Sequence, residues 1–284
     1  MINTAVIPAA GLGTRLLSFT KETPKEMVAL FSRTKKQTII QPLIERIFLQ
    51  LYDAGIRNFH IIVGKKKRAI EDHFTPDLVT LKGDENKNFK FMIEDFYRKI
   101  EKSHIVWINQ NTPQGFGAAI LSAKESVGNK PFLVHAGDAF VRGSSQHISK
   151  LIKTHEKYGG DVTLYVRKIV NPKAYGVAET QIYKNNVYKL VNVEEKPAKP
   201  KTNFALMPIY IFNKKIFDAL EVTKPGVRNE LQLTDGIQKL LEWNNNGFAI
   251  KFQNPNDCID IGTPENYFRA LKISFKDSMK SNFV

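Results

Sequence analysis

The 284-residue chain has one cysteine, Cys258, so neither an intramolecular disulfide framework nor a cysteine-rich zinc site can form. A lone thiol fits a reducing compartment, and a cytoplasmic setting is the expectation. The six histidines are scattered and make no local transition-metal motif. No stretch approaches the ~18 uncharged apolar residues that a membrane helix needs, so no membrane partner is expected. Residues 1–7 lack a basic region and a cleavage site, and no signal peptide is expected. No internal repeat, low-complexity tract or Pro/Gly/Ser-rich linker divides the chain. Acidic charge is also short. Against 42 Lys plus Arg stand 28 Asp plus Glu, a formal net charge of +14. Such an excess attracts anions: nucleic acid, a membrane surface or small phosphorylated ligands. Composition alone does not choose among them.

What is present is ordinary for a globular chain, with 42% hydrophobic and 25% charged residues, which excludes global disorder. Residues 4–8 form an apolar run that enters Ala9-Ala10-Gly11-Leu12-Gly13, a strand leading into a glycine loop. Helical spacing over 43–55 ends at Gly55, where a C-terminal glycine cap belongs. Residues 59–64 read as a strand, 67–74 as a short helix and 105–110 as a strand. A second glycine loop follows, then a helix from Ala118 and a strand over 131–138 that ends on an acid. Alternating strands and helices predict a parallel sheet covered on both faces. Past about residue 160 the pattern changes to strands at 162–166 and 204–212, a hairpin around Asn185-Asn186 and a helix within 231–243. The expectation is α/β: a Rossmann-like, mostly parallel mixed sheet flanked by helices, with additional antiparallel strands and helices. One compound domain over 1–284 is expected, divided near residue 160 into 1–160 and 161–284 without a hinge.

In Ala9-Ala10-Gly11-Leu12-Gly13-Thr14-Arg15-Leu16, consecutive backbone N–H groups can turn towards an anion. A dinucleotide fingerprint fails, because Leu16 stands where a third glycine is needed and no acid occurs from Met27 to Ile40. A Walker A loop fails as well, because no Gly-Lys-Ser/Thr follows. What remains is a phosphate loop of another kind, with Arg15 directly after it and Lys25 in Thr23-Pro24-Lys25-Glu26-Met27.

Gly-x-Gly-Thr-Arg followed by Pro-Lys resembles the sugar-phosphate nucleotidyltransferases. Pro24-Lys25-Glu26-Met27 is similar to the bacterial and archaeal glucose-1-phosphate uridylyltransferases. The resemblance runs from about residue 3 to about 272. It implies that UTP and glucose 1-phosphate give UDP-glucose and pyrophosphate. Charge builds on the leaving pyrophosphate and the equatorial oxygens, so Arg15 and Lys25 are the catalytic candidates. Ala9, Ala10, Gly11, Gly13 and Thr14 would cradle the nucleotide. Gln110 and Gly115 would hold the pyrimidine edge, since one amide offers both a donor and an acceptor. The resemblance also implies that Asp138 and Asp260 share one Mg²⁺, and hard oxygen ligands suit that ion. It places Gly176, Glu195 and Lys196 on the sugar phosphate, an acceptor for hydroxyls beside a cation for phosphate. Glu230-Leu231-Gln232-Leu233-Thr234-Asp235 resembles a further family segment, read as supporting architecture near the sugar. His73, in Ile70-Glu71-Asp72-His73-Phe74, is a further candidate whose alternative is a structural role.

Three departures from the family pattern stand out. Ser32 to Gln37 replaces a short loop and its Lys-Pro. Pro208 stands where the family often has glycine, which removes an N–H. Ala118 replaces a common histidine. Two alternatives stay open. One keeps the chemistry with dTTP or another hexose 1-phosphate. The other is a basic nucleic-acid-binding protein, for which Lys65-Lys66-Lys67-Arg68 and Lys35-Lys36 are the best features. No RNA-binding aromatic motif or zinc-finger spacing accompanies them, so a nucleic-acid partner is not the expectation. A homo-oligomer is also left open.

Overall fold

A computed structural model describes residues 2–34, 37–77 and 87–280, with side chains omitted at 87–89. Strand β1 (Thr4–Pro8) is buried along its whole length, as the apolar run predicts. Strands β2 (Ala29–Arg33) and β3 (Thr38–Pro42) then form a separate two-stranded ribbon. Helix α1 (Leu43–Asp53) buries Leu43, Ile44, Ile47, Phe48 and Leu51, the stripe expected of a helix on a sheet. Strand β4 (Asn58–Gly64) returns parallel to β1. Helices α2 (Arg68–His73) and α3 (Lys87–Glu101) lead to β5 (His104–Gln110), parallel to β4. Helices α4 (Phe116–Leu121) and α5 (Lys124–Val127) then return the chain to β6 (Phe132–His135), parallel to β1 on its other side.

β1 thus lies between β4 and β6, and the direction of strand growth reverses there. In open α/β sheets ligands bind outside the carboxyl ends of the strands at such a switch point. The segments that leave those ends are the glycine loop after β1, Gln110 at the end of β5, and Ala136 to Asp138 after β6. Pro8 accepts a hydrogen bond from Gly137 N–H at 3.0 Å, which ties the first and last of these together.

Strands from the second half extend the same sheet. β7 (Ala139–Val141) and α6 (Gln146–Tyr158) lead to β8 (Val162–Lys168). β9 (Gly176–Lys184) and β10 (Val187–Glu195) form the predicted hairpin. Asn185 and Asn186 supply its two positive-φ turn positions, at 47° and 63°. β11 (Phe204–Phe212), α7 (Lys215–Val222), α8 (Leu233–Glu242), β12 (Gly247–Lys251), β13 (Cys258–Asp260) and α9 (Pro264–Ser278) complete the described chain. The nine-stranded order is β5-β4-β1-β6-β11-β8-β12-β10-β9. Pairs β5–β4, β4–β1, β1–β6 and β8–β12 are parallel, and every antiparallel pair in this sheet includes a strand from the second half.

Period-two alternation gives each strand two faces. Ala5 and Ile7 join a core with Phe48, Phe59 and Tyr165, while Val6 points to a second core with Phe132, Phe217 and Leu220. Of the segment 32–37, Ser32 and Arg33 end β2, Thr34 N–H donates to Gln37 O at 2.9 Å, and Lys35 and Lys36 lie outside the described residues. The ribbon packs on α9, with the Phe31 and Phe275 rings 4.9 Å apart. Pro208 sits in an interruption of the β11–β8 register between Leu206 and Tyr210, where a missing N–H costs no ladder bond to β8. Its carbonyl accepts from Ala136 N–H at 3.0 Å. Among the described residues, no helix is long and apolar enough to cross a membrane.

Candidate active site

A cavity of about 330 Å³ opens at the switch point. Ala10, Gly11, Gly13, Thr14 and Arg15 line it from the glycine loop, Lys25 from the following turn, and Gln110, Gly115 and Asp138 from the other strand ends. Nine of the predicted site residues therefore share one cavity. Ala9 does not line it. That side chain is buried in the core and its N–H donates to Ile62 O at 2.7 Å, so its part is to hold the loop's entry.

Lys25 and Asp138 meet directly, the ammonium hydrogen-bonding the carboxylate. The ammonium also lies beneath the glycine loop, 3.2 Å from where a Cβ on Gly11 would stand. Burial works against the Lys25 charge, but Asp138 and Glu26 outweigh it and hold the ammonium above its ordinary range. Burial likewise disfavours the Asp138 charge, and Lys25 overcomes it and holds that carboxyl low.

Asp260 arrives from the far end of the chain. β13 pairs antiparallel with β7, setting Asp260 opposite Ala139, and Ile261 N–H donates to Asp138 O at 2.9 Å. The two acids are thus neighbours although 122 positions (260 − 138) separate them. Burial and the Asp138 charge push Asp260 up to about 6, against the pull of Lys25 and Arg15. Arg15 Nη2 is 3.9 Å from Asp260 Oδ2. Thr263 Oγ1 accepts from Asn266 N–H at 3.3 Å and caps α9, which leaves the Asp260 carboxylate uninvolved in capping. Two adjacent carboxylates, one raised by the other, form a donor set that fits a hard divalent cation with phosphate oxygens completing its shell. Among the described residues, no group of three or more His, Cys, Asp or Glu side chains is arranged for a metal.

Beneath Lys25 lies a buried ion pair whose partner, Glu26, the sequence does not reveal. Lys67 Nζ donates to Glu26 Oε2 at 2.7 Å, with side-chain exposures of 8% and 1%. Lys67 therefore does not belong to a solvated basic run. It is the buried counter-ion of the residue next to Lys25, while Lys65 and Lys66 stay exposed and Arg68 pairs with Asp72 at 3.5 Å. His73 is likewise away from the cavity: its Nε2 is 2.9 Å from Glu45 Oε2, which also accepts through Oε1 from Gln41 Nε2 at 2.7 Å. Its role is structural. Cys258 is fully buried with its thiol pushed up to about 12, first by burial, and is not a nucleophile.

Gly115 has φ +107°, and a Cβ there would stand 2.6 Å from Leu231 O, so only glycine fits under the segment that precedes α8. Gly176, Glu195 and Lys196 form a second cluster, outside the cavity lining. Each Glu195 carboxylate oxygen has one partner: Lys196 Nζ lies 2.6 Å from Oε1, and Thr234 Oγ1 donates to Oε2 at 2.6 Å. A Cβ on Gly176 would stand 2.6 Å from Thr234 Oγ1 and 3.0 Å from Glu195 Oε2, so the missing side chain leaves room for that bond. Asp235 is raised by burial and by Glu195, and lowered by Lys196, which puts it beside this cluster. Thr234 sits within the segment read as architecture, and its specific bond to Glu195 had no signal beyond that segment. Arg228 and Glu230 line the first cavity from the same stretch of chain.

Residues 4–276 match the family described as Nucleotidyl transferase. The chain is 35% identical over 243 residues to the UTP-glucose-1-phosphate uridylyltransferase of Staphylococcus epidermidis, covering 84% of this chain and 81% of that one. It is 32% identical to the enzyme of that name from Staphylococcus haemolyticus over 289 aligned positions, covering 100% and 96%. Among solved structures, a UDP-glucose pyrophosphorylase complexed with UDP-glucose superimposes with a TM-score of 0.83 at 28% identity, covering 98% of this chain and 100% of that one. A UTP-bound UGPase from Acinetobacter baumannii gives 0.81 at 27% identity, covering 98% of each.

Proposed function

This chain belongs to the nucleotidyl transferase family, and on that premise we propose that it transfers the uridylyl group of UTP to glucose 1-phosphate, giving UDP-glucose and pyrophosphate. The observation that carries this reading is a glycine-loop cavity lined by Arg15, Lys25, Gln110, Gly115 and Asp138, with Asp260 behind the lining next to Asp138 and Arg15. An oxygen of the sugar phosphate attacks the α-phosphorus of UTP. The new P–O bond forms as the bond to the bridging oxygen breaks, and the electron pair leaves with pyrophosphate. The attacking phosphate is already an anion, so no side-chain nucleophile is needed. The protein's part is positioning and charge stabilisation.

Lys25 is the central cation. Asp138 and Glu26 keep it charged, so it needs no proton at the moment of transfer. Arg15, two-thirds exposed, sits at the rim where the triphosphate enters. Asp138 and Asp260 would hold Mg²⁺, which when bound offsets repulsion between the nucleotide and sugar phosphates. The Gln110 amide and the backbone at Gly115 read the O4 and N3–H edge of uracil. Glu195 accepts from sugar hydroxyls and Lys196 binds the sugar phosphate. In the free protein Lys196 is bonded to Glu195, and the incoming phosphate competes for that ammonium. Residues 1–160 form the nucleotide core and 161–284 the sugar-binding part of one domain. A cytoplasmic setting is consistent with the free buried thiol of Cys258. Incubation with UTP, glucose 1-phosphate and Mg²⁺ tests the reading: UDP-glucose and pyrophosphate should appear in equal amounts, and absence of UDP-glucose refutes it.

A further inference from the structure

The loop between α7 and α8 carries a cation that the reaction as derived does not use. Residues Val227–Asn229 make one tight turn in which Arg228 and Asn229 hold φ of 62° and 56°. Left-handed backbone suits glycine and is tolerated by asparagine, but it strains a long side chain such as arginine. The turn is fixed on both sides. Gly226 N–H donates to Glu230 O at 2.9 Å, Gln232 Nε2 to Val227 O at 3.0 Å, and Leu231 N–H to Gln114 O at 2.8 Å. Strain of this kind persists only where the surroundings over-determine it, and it gathers at functional sites.

Arg228 lines the same cavity as Gly13, Arg15 and Lys25. The other two cations have acidic neighbours: Lys25 is bonded to Asp138, and Arg15 lies 3.9 Å from Asp260. Among the described residues, no carboxylate lies within ion-pair distance of Arg228. The side chain is exposed and, among those residues, free of an ion pair, and a guanidinium offers five donors in a fork that matches phosphate oxygens.

We propose that Arg228 is a nucleotide-contacting residue that brings a third cation to the phosphates of UTP, from the wall facing the glycine loop. This rests on reading the cavity as the nucleotide site. It makes nucleotide affinity depend on both halves of the chain, with the ligand bridging Gly11–Arg15 and the turn at 227–229.

Calorimetric binding of UTP, with uridine as an uncharged competitor, tests the proposal on wild type, Arg228→Ala, Arg228→Lys and Arg228→Gly. Arg228→Ala should weaken UTP roughly tenfold, as expected for one lost charge-assisted contact. Its uridine affinity should stay within about twofold of wild type, because uridine carries no phosphate. Arg228→Lys should retain part of the UTP affinity. Arg228→Gly should lose as much as Arg228→Ala while melting at a higher temperature, because glycine accepts the turn's φ without strain. Wild type that binds UTP with all variants matching it overturns the proposal and leaves the nucleotide reading standing. Equal loss for uridine and UTP overturns the phosphate contact, a lower melting temperature for Arg228→Gly overturns the strain argument, and wild type that fails to bind UTP overturns both readings.

Discussion

Lys25 and Asp138 stand 113 positions apart in the chain and are hydrogen-bonded in the fold, with side-chain exposures of only 15% and 18%. This pair closes the floor of the cavity. On the proposed reading it fixes the cation where the transferring group would gather charge, and it limits where that carboxylate can turn.

Replacing the cation tests its part in the chemistry. Lys25→Ala should lower turnover by roughly a hundredfold or more, the loss typical of one preorganised electrostatic contact. Steady-state pyrophosphate release is the measurement. Near-normal turnover in a folded variant would remove Lys25 from the catalytic set.

If Asp138 and Asp260 hold the metal as proposed, replacing either should change the metal requirement. Asp138→Asn and Asp260→Asn should each shift the Mg²⁺ titration of activity to higher concentration, because a neutral amide is a poorer ligand for a hard divalent ion. An unchanged titration in both variants would refute the assignment.

Thr234 is expected to position the sugar-binding carboxylate. Thr234→Val removes the 2.6 Å bond to Glu195 Oε2 while keeping the side chain's shape. KM for glucose 1-phosphate should rise roughly tenfold, in line with a lost hydrogen bond to a charged group, and KM for UTP should change much less. Thr234→Ser should restore the lost affinity. Equal effects on both substrates would point to a general structural defect instead.

The Glu26–Lys67 pair makes a stability prediction. Lys67→Met leaves Glu26 buried without its partner and should destabilise the fold by about 3 kcal/mol or more. Glu26→Gln combined with Lys67→Met should recover much of that loss in a denaturant titration. A single variant as stable as wild type would contradict the burial of this pair.

Acid should weaken the fold through its buried histidines. Burial holds His60, His147 and His155 below their ordinary range and His135 down to about 4. In the unfolded chain each takes a proton near pH 6.5. At these four groups the unfolded state therefore binds more protons, and their contribution to stability is full above about pH 6.5 and falls as pH drops towards 4. The His135 share is roughly 3 kcal/mol over that window. Asp260, raised to about 6, acts in the opposite sense over the same window, so the test is differential: the denaturant midpoint of His135→Asn should lose less than that of wild type between pH 7 and pH 4.5. Identical pH dependence in the two proteins would contradict the neutral burial of His135.

Local signals in the sequence carried the residues that line the cavity at the switch point. The glycine loop, Lys25, Gln110 and Asp138 all lie at or just past the ends of strands that short apolar runs revealed, and parallel pairing gathers those ends at one edge. What stayed hidden depends on pairing between distant segments. Asp260 meets Asp138 only because the three-residue strand β13 pairs with the equally short β7, and neither is long enough to leave a periodic signal. The Lys65–Arg68 run stood as a feature of the nucleic-acid alternative, yet Lys67 is buried as the counter-ion of Glu26, which the run's own composition does not encode. Helix α3 has an amphipathic pattern that was not read from the sequence, and the β2–β3 ribbon lies in a segment noted only as a departure. The excess of +14 was a sound pointer to anionic ligands. Arg15, Lys25, Lys196 and Arg228 account for only a small part of it.

The most direct test is pyrophosphate release measured across UTP, dTTP, ATP, CTP and GTP, each paired with several hexose 1-phosphates, with and without Mg²⁺. UTP with glucose 1-phosphate and Mg²⁺ should give the highest rate, and the signal should vanish without the metal. Pyrophosphate release from no pair, or equal release without the metal, would contradict the account.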